Sequence, residues 1–140
     1  EEFTVTCSSL TENNTPDSQF LNSTIQDGQL YGEKGSFRFL VSFSNTEVLL
    51  QDAKITGSFE AEGNLISDGL IGGAVTYADL EEVVLNDPEI GPSFADAMLA
   101  FLANKLDVDL DGNGEVDALS ASFRFQAVPA LIDKDSECAE

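Results

Sequence analysis

The chain of 140 residues contains no histidine, no tryptophan and only two cysteines. Without histidine there is no Ser-His-Asp or Cys-His catalytic arrangement and no zinc site of the usual Cys/His kind. No glycine-rich phosphate loop follows a predicted strand. Acidic residues are plentiful, but no two stand out as a glycosidase pair, and tryptophan is missing as a platform for sugars. We therefore expect that the protein is not an enzyme.

Basic residues are also scarce, because six lysines and arginines stand against 26 aspartates and glutamates, giving a formal net charge of −20 at pH 7. Such a charge repels phosphate backbones and anionic lipids, so we expect no nucleic-acid partner and no membrane-surface contact. No apolar run is long enough to predict membrane insertion. Cations are the natural counter-species. A role in solubility, or a salt-rich habitat, is the alternative explanation of the charge.

Apolar residues are nevertheless abundant, at 42% of the chain, and ten of them are phenylalanine. This composition is typical of a folded protein, and the length suits a single domain spanning residues 1–140.

The two cysteines, Cys7 and Cys138, stand near opposite ends of the chain. In an exported protein a disulfide between them would close a loop of about 130 residues and contribute roughly 4 to 5 kcal/mol. Two buried thiols in a reducing compartment, or bridges between subunits, are the alternatives. The start EEFTVTC lacks the features of a signal peptide, which indicates a mature or trimmed chain. Glycosylation sequons at Asn13 and Asn22 add a little support for a secreted, extracellular or cell-surface protein.

Alternation of apolar and polar residues predicts most of the strands. We expect strands at 3–7 and around 36–44, 53–61 and 119–128, with a long polar loop at 8–28 that holds a short strand around 20–25. The shared faces comprise Phe37, Phe39, Val41 and Phe43 in the second strand, Ala53, Ile55, Phe59 and Ala61 in the third, and Leu119, Ala121, Phe123, Phe125 and Ala127 in the last. Mid-strand Gly57, Gly72 and Gly73 predict bulges or close backbone approach in a curved sheet.

Two helices are predicted between these strands. The first follows Thr76, a typical N-cap, and ends before Pro88. The second begins after Ser93, which stands at capping-box spacing from Asp96. Its apolar stripe predicts contact with the core and consists of Phe94, Met98, Phe101, Leu102 and Leu106. The predicted fold class is α+β, mainly antiparallel sheet in a curved sandwich or barrel-like form, with two short helices before an acidic loop and a C-terminal strand.

The acidic stretch DLDGNGEVDALS, residues 109–120, carries the clearest chemical signal. Calcium takes six to eight oxygen ligands, which a compact loop supplies when acidic side chains recur at every second residue around a sharp turn. In a register that starts at Asp109, the sharp turn falls at Gly114, and Val116 is the apolar residue that pins the loop. The predicted oxygen ligands are the side chains of Asp109, Asp111 and Asn113, the backbone carbonyl of Glu115, and Asp117 directly or through water. A register starting at Asp107 places Gly114 where the apolar pin belongs.

In the Asp109 register these twelve residues resemble the EF-hand-type calcium loop, including its dockerin variants. Ser120 stands where that family has a bidentate glutamate, and a strand follows in place of the exiting helix. The resemblance implies Ca²⁺ bound with Asp107 or another carboxylate completing the shell, and an affinity of roughly 10⁻⁴ to 10⁻³ M. Such a site would stabilise the fold and would not act as a sensor. An acidic turn without metal is the competing interpretation. The segment ITGSFEAEGNLISDGLIGGAVT also resembles β-rich exported bacterial proteins of unassigned function, which transfers no activity.

These features predict a non-catalytic, calcium-stabilised extracellular protein that acts in a surface structure. Its partners would be copies of itself or another surface protein, joined by strand addition. The alternative is a secreted ligand-binding module that holds a small apolar or glycan ligand in its curved, Phe-rich sheet. That alternative requires a cavity of several hundred Å³.

Overall fold

The computed structural model describes residues 2–13, 15–41, 46–60 and 65–132. Within them, five strands form one antiparallel sheet and two further strands form a separate parallel pair. The fold is therefore α+β and mainly antiparallel, as predicted. The elements in chain order are β1 (Glu2–Phe3), a 3₁₀ turn (Cys7–Ser9), β2 (Gln19–Gln26), β3 (Gln29–Val41), β4 (Thr46–Phe59), β5 (Ile66–Thr76), α1 (Tyr77–Asn86), α2 (Pro92–Ala103), β6 (Ala118–Ala127) and β7 (Leu131–Ile132).

The large sheet follows the chain order β2-β3-β4-β5-β6, each strand antiparallel to the next. Because the order is linear, β2 and β6 are its edge strands in the described part of the chain. Strands β2 to β5 follow one another directly along the chain. The β5–β6 connection, residues 77–117, is longer and contains both helices. This connection leaves the sheet at Thr76 and returns to it at Ala118, and these two residues pair.

A line of irregular pairings crosses the sheet. Asn22, Lys34 and Asp52 have left-handed backbone angles and lie at register shifts in β2, β3 and β4. At the last of these, two residues of β4 stand opposite Gly73 of β5. A Cβ at Gly73 would lie 2.6 Å from the Gln51 carbonyl oxygen, so the predicted close backbone approach is confirmed there. Bulges increase bending and twist, and this line curves the sheet.

The core lies on one face of the sheet around Leu50, which is completely buried, and includes Val48, Ala53, Ile71 and Val75. Phenylalanine rings surround this cluster on the same face, with Phe20, Phe37, Phe39 and Phe125 packed against it. The rings of Phe39 and Phe123 meet edge to face at 4.8 Å between centroids, although two strands separate β3 from β6. This face is therefore concave, and these phenylalanines pack the core.

Helix α1 covers the core face, lying on β4 and β5. The Thr76 hydroxyl accepts a hydrogen bond from the Asp79 N–H at 3.1 Å, which confirms the predicted N-cap. Leu80 and Val83 pack against the core cluster. The helix ends at Asn86, ahead of Pro88, also as predicted.

Helix α2 differs from its prediction. It begins at Pro92 with Gly91 as N-cap, so Ser93 lies inside the first turn and makes no capping hydrogen bond. Proline suits this first position because its missing N–H is not needed there. The predicted core contact is wrong for Phe94 and Phe101, which are 60% and 61% exposed. The reason is that α2 packs on α1, with no comparable contact to any described strand.

The N-terminal region also departs from the prediction. The expected strand at 3–7 is reduced to β1, whereas the short strand expected around 20–25 within the polar segment 8–28 is confirmed as β2 (Gln19–Gln26). Phe43 and Ala61 of the predicted strand faces lie outside the described residues. No helix in the described ranges combines the length and apolar character needed to cross a membrane.

Candidate metal loop

The acidic loop, residues 107–117, joins α2 to β6 and is closed by backbone hydrogen bonds. The carbonyl oxygen of Ala118 accepts from the N–H groups of Asp107 and Val108 at 3.0 and 3.1 Å, and that of Val108 accepts from Asp117 and Ala118 at 2.9 and 3.1 Å. The N–H of Tyr77, the first residue of α1, donates to the Asp117 carbonyl at 3.0 Å. The loop therefore ties the start of α1 to the start of β6.

Asp109 organises the turn inside the loop. Its Oδ1 accepts from the N–H groups of Gly112 and Asn113 at 2.8 and 3.1 Å, and its Oδ2 accepts from that of Gly114 at 2.8 Å. Gly112 and Gly114 have φ angles of +75° and +95°, which glycine adopts without strain. The sharp turn predicted at Gly114 is confirmed. One exposed carboxylate thus satisfies three backbone donors.

Asp111 and Asn113 continue this arrangement along the turn. Asp111 accepts from the backbone N–H of Asn113 at 3.0 Å and from its side-chain amide at 2.9 Å, and Asn113 Oδ1 accepts from the Glu115 N–H at 2.7 Å. The Asn113 N–H is therefore shared by two carboxylates, those of Asp109 and Asp111. Asp117 Oδ1 accepts from the Leu110 N–H at 2.9 Å on the returning arm.

Asp107 and Ser120 form a pair of their own at the base of the loop. The backbone N–H and hydroxyl of Ser120, in β6, donate to the two Asp107 carboxylate oxygens at 2.7 and 2.6 Å. These hydrogen bonds, the hydroxyl one first, lower the pKa of Asp107 below its ordinary value. The predicted ligands Asp107 and Ser120 are thus hydrogen-bonded to each other. The bidentate glutamate that closes an EF-hand-type loop is replaced here by Ser120, which has no carboxylate.

The predicted apolar pin at Val116 is wrong, because that side chain is 51% exposed. Val108 and Leu110 are partly buried instead, and they line a cavity of about 450 Å³ against the sheet face opposite the core. The sequence did contain a signal for this, because apolar Leu106, Val108 and Leu110 alternate with the acidic residues at 107, 109 and 111. The other side of the cavity is formed by β4 and β5 residues that include Lys54, Thr56, Leu70 and Ala74.

The donor atoms of the loop suit a hard cation in their chemistry. The side chains of Asp109, Asp111, Asn113 and Asp117 offer oxygen ligands. A carboxylate has about four lone pairs, so even Asp109, which accepts three N–H groups, keeps one for a metal. In the described ranges, however, no three acidic or cysteine side chains lie close enough together to hold a metal ion. The four aspartates of the loop, Asp107, Asp109, Asp111 and Asp117, are turned toward backbone N–H groups.

Of the residues predicted to form a disulfide or to carry glycans, all but Cys138 lie within the described part of the chain. Cys7 lies half-buried in the 3₁₀ turn, whereas Cys138 lies outside the described residues, and their disulfide stays a prediction. Asn13 and Asn22 are both exposed, and Asn22 lies in the edge strand β2.

Comparison of the chain with protein-family models, with curated proteins and with solved structures finds no match.

Proposed function

We propose that the protein is a non-catalytic extracellular or cell-surface domain, stabilised by calcium in the acidic loop, that serves in a surface assembly. The observation that carries this proposal is the position of the loop. Its turn gathers the oxygens of Asp109, Asp111 and Asn113, and its arms hydrogen-bond to α1 and β6. A cation there would offset the repulsion between neighbouring carboxylates and stabilise the junction of helices and sheet.

The proposed binding replaces some of the N–H contacts of Asp109 and Asp111 by contacts to the ion. Glu115 contributes its backbone carbonyl, and Asp117 contributes directly or through water. Because Ser120 supplies no carboxylate, we expect an affinity of roughly 10⁻⁴ to 10⁻³ M, suited to extracellular calcium. At a calcium concentration roughly ten times Kd, linkage would add about 1.4 kcal/mol to the free energy of unfolding.

The test is a thermal melt of the protein in EDTA and across a calcium titration at constant ionic strength. We expect the melting temperature to rise with calcium, and the Asp109→Ala/Asp111→Ala double variant to show no rise. The matched control is Glu81→Ala/Glu82→Ala, which removes two exposed acidic residues from α1 and should keep the full response. Equal responses in both double variants would mean that calcium only screens the net charge.

The disulfide is a second part of the proposal. The pairing of β1 with β7 sets Phe3 beside Ile132, so both ends of the described chain meet at one place. Cys7 follows the first of these residues closely, and Cys138 follows the second. Mass spectrometry of the proteolysed, unreduced protein should find a peptide that contains both cysteines. Two separately alkylated cysteines would exclude the bridge.

The assembly role is supported by the edge strand β2. Its eight residues, QFLNSTIQ, include no charged side chain in a chain of net charge −20, and Leu21 and Ile25 are largely exposed. Its outer edge pairs with no other strand among the described residues. Such an edge suits strand addition. Sedimentation at increasing concentration, with calcium, should show self-association that Ile25→Lys abolishes. A protein that stays monomeric at high concentration with calcium would refute the assembly role.

A ligand-binding module is the second candidate, and the cavity between the acidic loop and the sheet favours it. Its volume of about 450 Å³ lies within the range of small-molecule sites. It lies on the sheet face opposite the phenylalanines, so the ligand would lie between the acidic loop and strands β4 and β5 and not against the Phe-rich face. Binding of the neutral fluorescent probe N-phenyl-1-naphthylamine tests it. Gly72→Val should abolish the signal, because a Cβ at Gly72 makes only ordinary contacts and extends into the cavity.

A further inference from the structure

A second cavity lies on the other side of the molecule's core, between the two helices. This helix groove has a volume of about 450 Å³. Its walls are apolar residues of both helices, and one end is formed by the short connection between them. The lining residues are Leu80, Val83, Val84, Asp87, Glu89, Ile90, Phe94, Met98 and Leu102.

Helix α2 leaves this groove open because it touches only α1 extensively. In its twelve residues Asp96 is the single charged side chain, whereas 23% of the whole chain is charged. A helix that is apolar on nearly all sides is normally covered. Here Ala95 is its only buried residue among those described, and Phe94 remains mostly exposed at the groove. The apolar surface of the groove is therefore available to a ligand.

Asp87 gives the groove its polarity. It is only 9% exposed, and it is the one charged residue that is buried in the described part of the chain. Its Oδ1 accepts one hydrogen bond, from the Glu89 N–H at 2.8 Å. Glu89, the second acidic residue of the lining, stands beside it. A buried carboxylate is costly unless a cation or several hydrogen bonds compensate it.

No basic side chain of the described chain compensates Asp87 in the groove. Arg38 is paired with Asp17 and Glu47, and Arg124 with Asp68. The Lys105 ammonium lies over the Phe101 ring, 5.4 Å from its centroid and outside the groove lining. The remaining described lysines, Lys34 and Lys54, belong to β3 and β4.

We propose that the helix groove binds a small molecule with an apolar body and a single cationic group, and that Asp87 is its counter-ion. Residues of α1 and α2 would cover the apolar body, and the ammonium or similar group would lie at the connection, with Glu89 adding to the negative potential. A neutral apolar ligand would desolvate Asp87 without compensation, and an anion would be repelled. A second copy of the chain is the competing occupant, and the Met98→Glu variant below distinguishes it. This site is separate from the proposed calcium function.

The test uses three probes of equal chain length, octylammonium, 1-octanol and octanoate, below their micelle-forming concentrations. Calorimetric titrations and backbone amide shifts should give the order octylammonium, octanol, octanoate, with octylammonium roughly tenfold tighter than octanol. The shifts should centre on α1, α2 and their connection. Titrations in EDTA and in calcium should agree, so that failure of the calcium proposal would leave this result unchanged.

Asp87→Asn is the decisive variant, since asparagine can still accept the Glu89 N–H bond. It should remove the preference for octylammonium over octanol without weakening the binding of octanol, because a neutral amide is less costly to desolvate than a carboxylate. The control Glu82→Gln, exposed on α1 and outside the groove lining, makes the same change in net charge and should keep the preference. A preference that persists in Asp87→Asn would overturn the proposal, because it would then come from the acidic surface in general.

Met98→Phe provides a test that does not depend on Asp87. The larger side chain fills the groove and should weaken octylammonium and octanol alike by several-fold. Unchanged binding in this variant, or no saturable binding of octylammonium by the native protein, would also overturn the proposal. So would a concentration-dependent dimer that Met98→Glu dissociates, because a second copy would then occupy the groove.

Discussion

The sheet and the β5–β6 connection are held together by different forces. In the sheet, Leu50 and its neighbours are buried against α1 and the phenylalanine rings, and strand pairing satisfies the backbone. In the connection beyond α1, apolar side chains such as Phe101 remain exposed, and acidic side chains accept the backbone N–H groups of the loop. Burial stabilises the first region, whereas hydrogen bonds to carboxylates shape the second and leave its apolar side chains exposed.

The largest expected difference between the two regions is in the effect of shortening a leucine. Leu50→Ala removes a completely buried side chain and should lower the free energy of unfolding by about 3 kcal/mol. Leu85→Ala makes the same chemical change on the exposed side of α1 and should cost below about 1 kcal/mol. Urea unfolding of both variants measures the contrast. Similar losses would show that Leu85 is covered in solution, by a partner or by a second copy.

Two adjacent glycines of β5, Gly72 and Gly73, test how tightly β4 and β5 approach each other at the bulge. Gly73→Ala places a Cβ 2.6 Å from the Gln51 carbonyl and 2.8 Å from Leu50 Cγ, and should cost roughly 1 to 3 kcal/mol. Gly72→Ala meets nothing closer than 3.6 Å and should change stability by less than about 0.5 kcal/mol. The measurement is again urea unfolding. Equal effects would mean that the close approach of β4 and β5 relaxes easily.

In the acidic loop, substitutions of Asp109 and Glu115 by alanine should differ in their effects on stability and on the calcium response. Asp109→Ala leaves the N–H groups of Gly112 and Gly114 without their acceptor, while that of Asn113 keeps Asp111. It should cost about 1 to 2 kcal/mol in EDTA, similar to the loss of a strong helix cap. Glu115→Ala removes an exposed acidic side chain whose proposed contribution to calcium is its backbone carbonyl. It should therefore keep both the stability and the calcium response. Melts of both variants with and without calcium separate turn formation from metal binding.

The smallest expected effect concerns acid sensitivity at the base of the loop. Because the Ser120 hydrogen bonds lower the pKa of folded Asp107, their stabilising effect is present above the ordinary carboxyl pKa of 3.8 and is lost as the pH falls through the lower folded value. Ser120→Ala should therefore melt below the native protein at neutral pH, and the difference should shrink below about pH 4. Ser122→Ala, on the same strand, serves as the control. A difference that does not change with pH would assign the effect to packing.

The sequence predicted the sheet better than it predicted the connection, and the reason is physical. Period-2 alternation reports which side of a strand is buried. The predicted positions of β4 are buried or partly buried, and so are those of β6 except Phe123, which is 40% exposed. The helical period in α2 also marked an apolar side, but it cannot report whether the covering surface belongs to the same chain. For that reason Phe94 and Phe101 were assigned to the core and are found exposed.

In the acidic loop the spacing of the oxygen-bearing residues predicted the turn at Gly114. It did not predict that Asp107 and Ser120 would pair, because that contact depends on how the loop meets β6. Nor did it separate the exposed Val116 from the half-buried Val108, since both flank acidic residues. Asp87 was missed altogether, because a single acidic residue after a helix has no distinguishing pattern in the sequence.

The bulge at Asp52 also changes the phase in which β4 is read. Before it, the even-numbered Val48 and Leu50 face the core, and after it the odd-numbered Ala53 and Ile55 do so. The extra residue thus shifts the alternation of core-facing and outward-facing side chains by one position halfway along the strand. Deleting Asp52 would turn one half of β4 over, moving its core side chains to the cavity face. Whether a substitution in β4 affects the core or the opposite face therefore depends on whether it lies before or after Asp52.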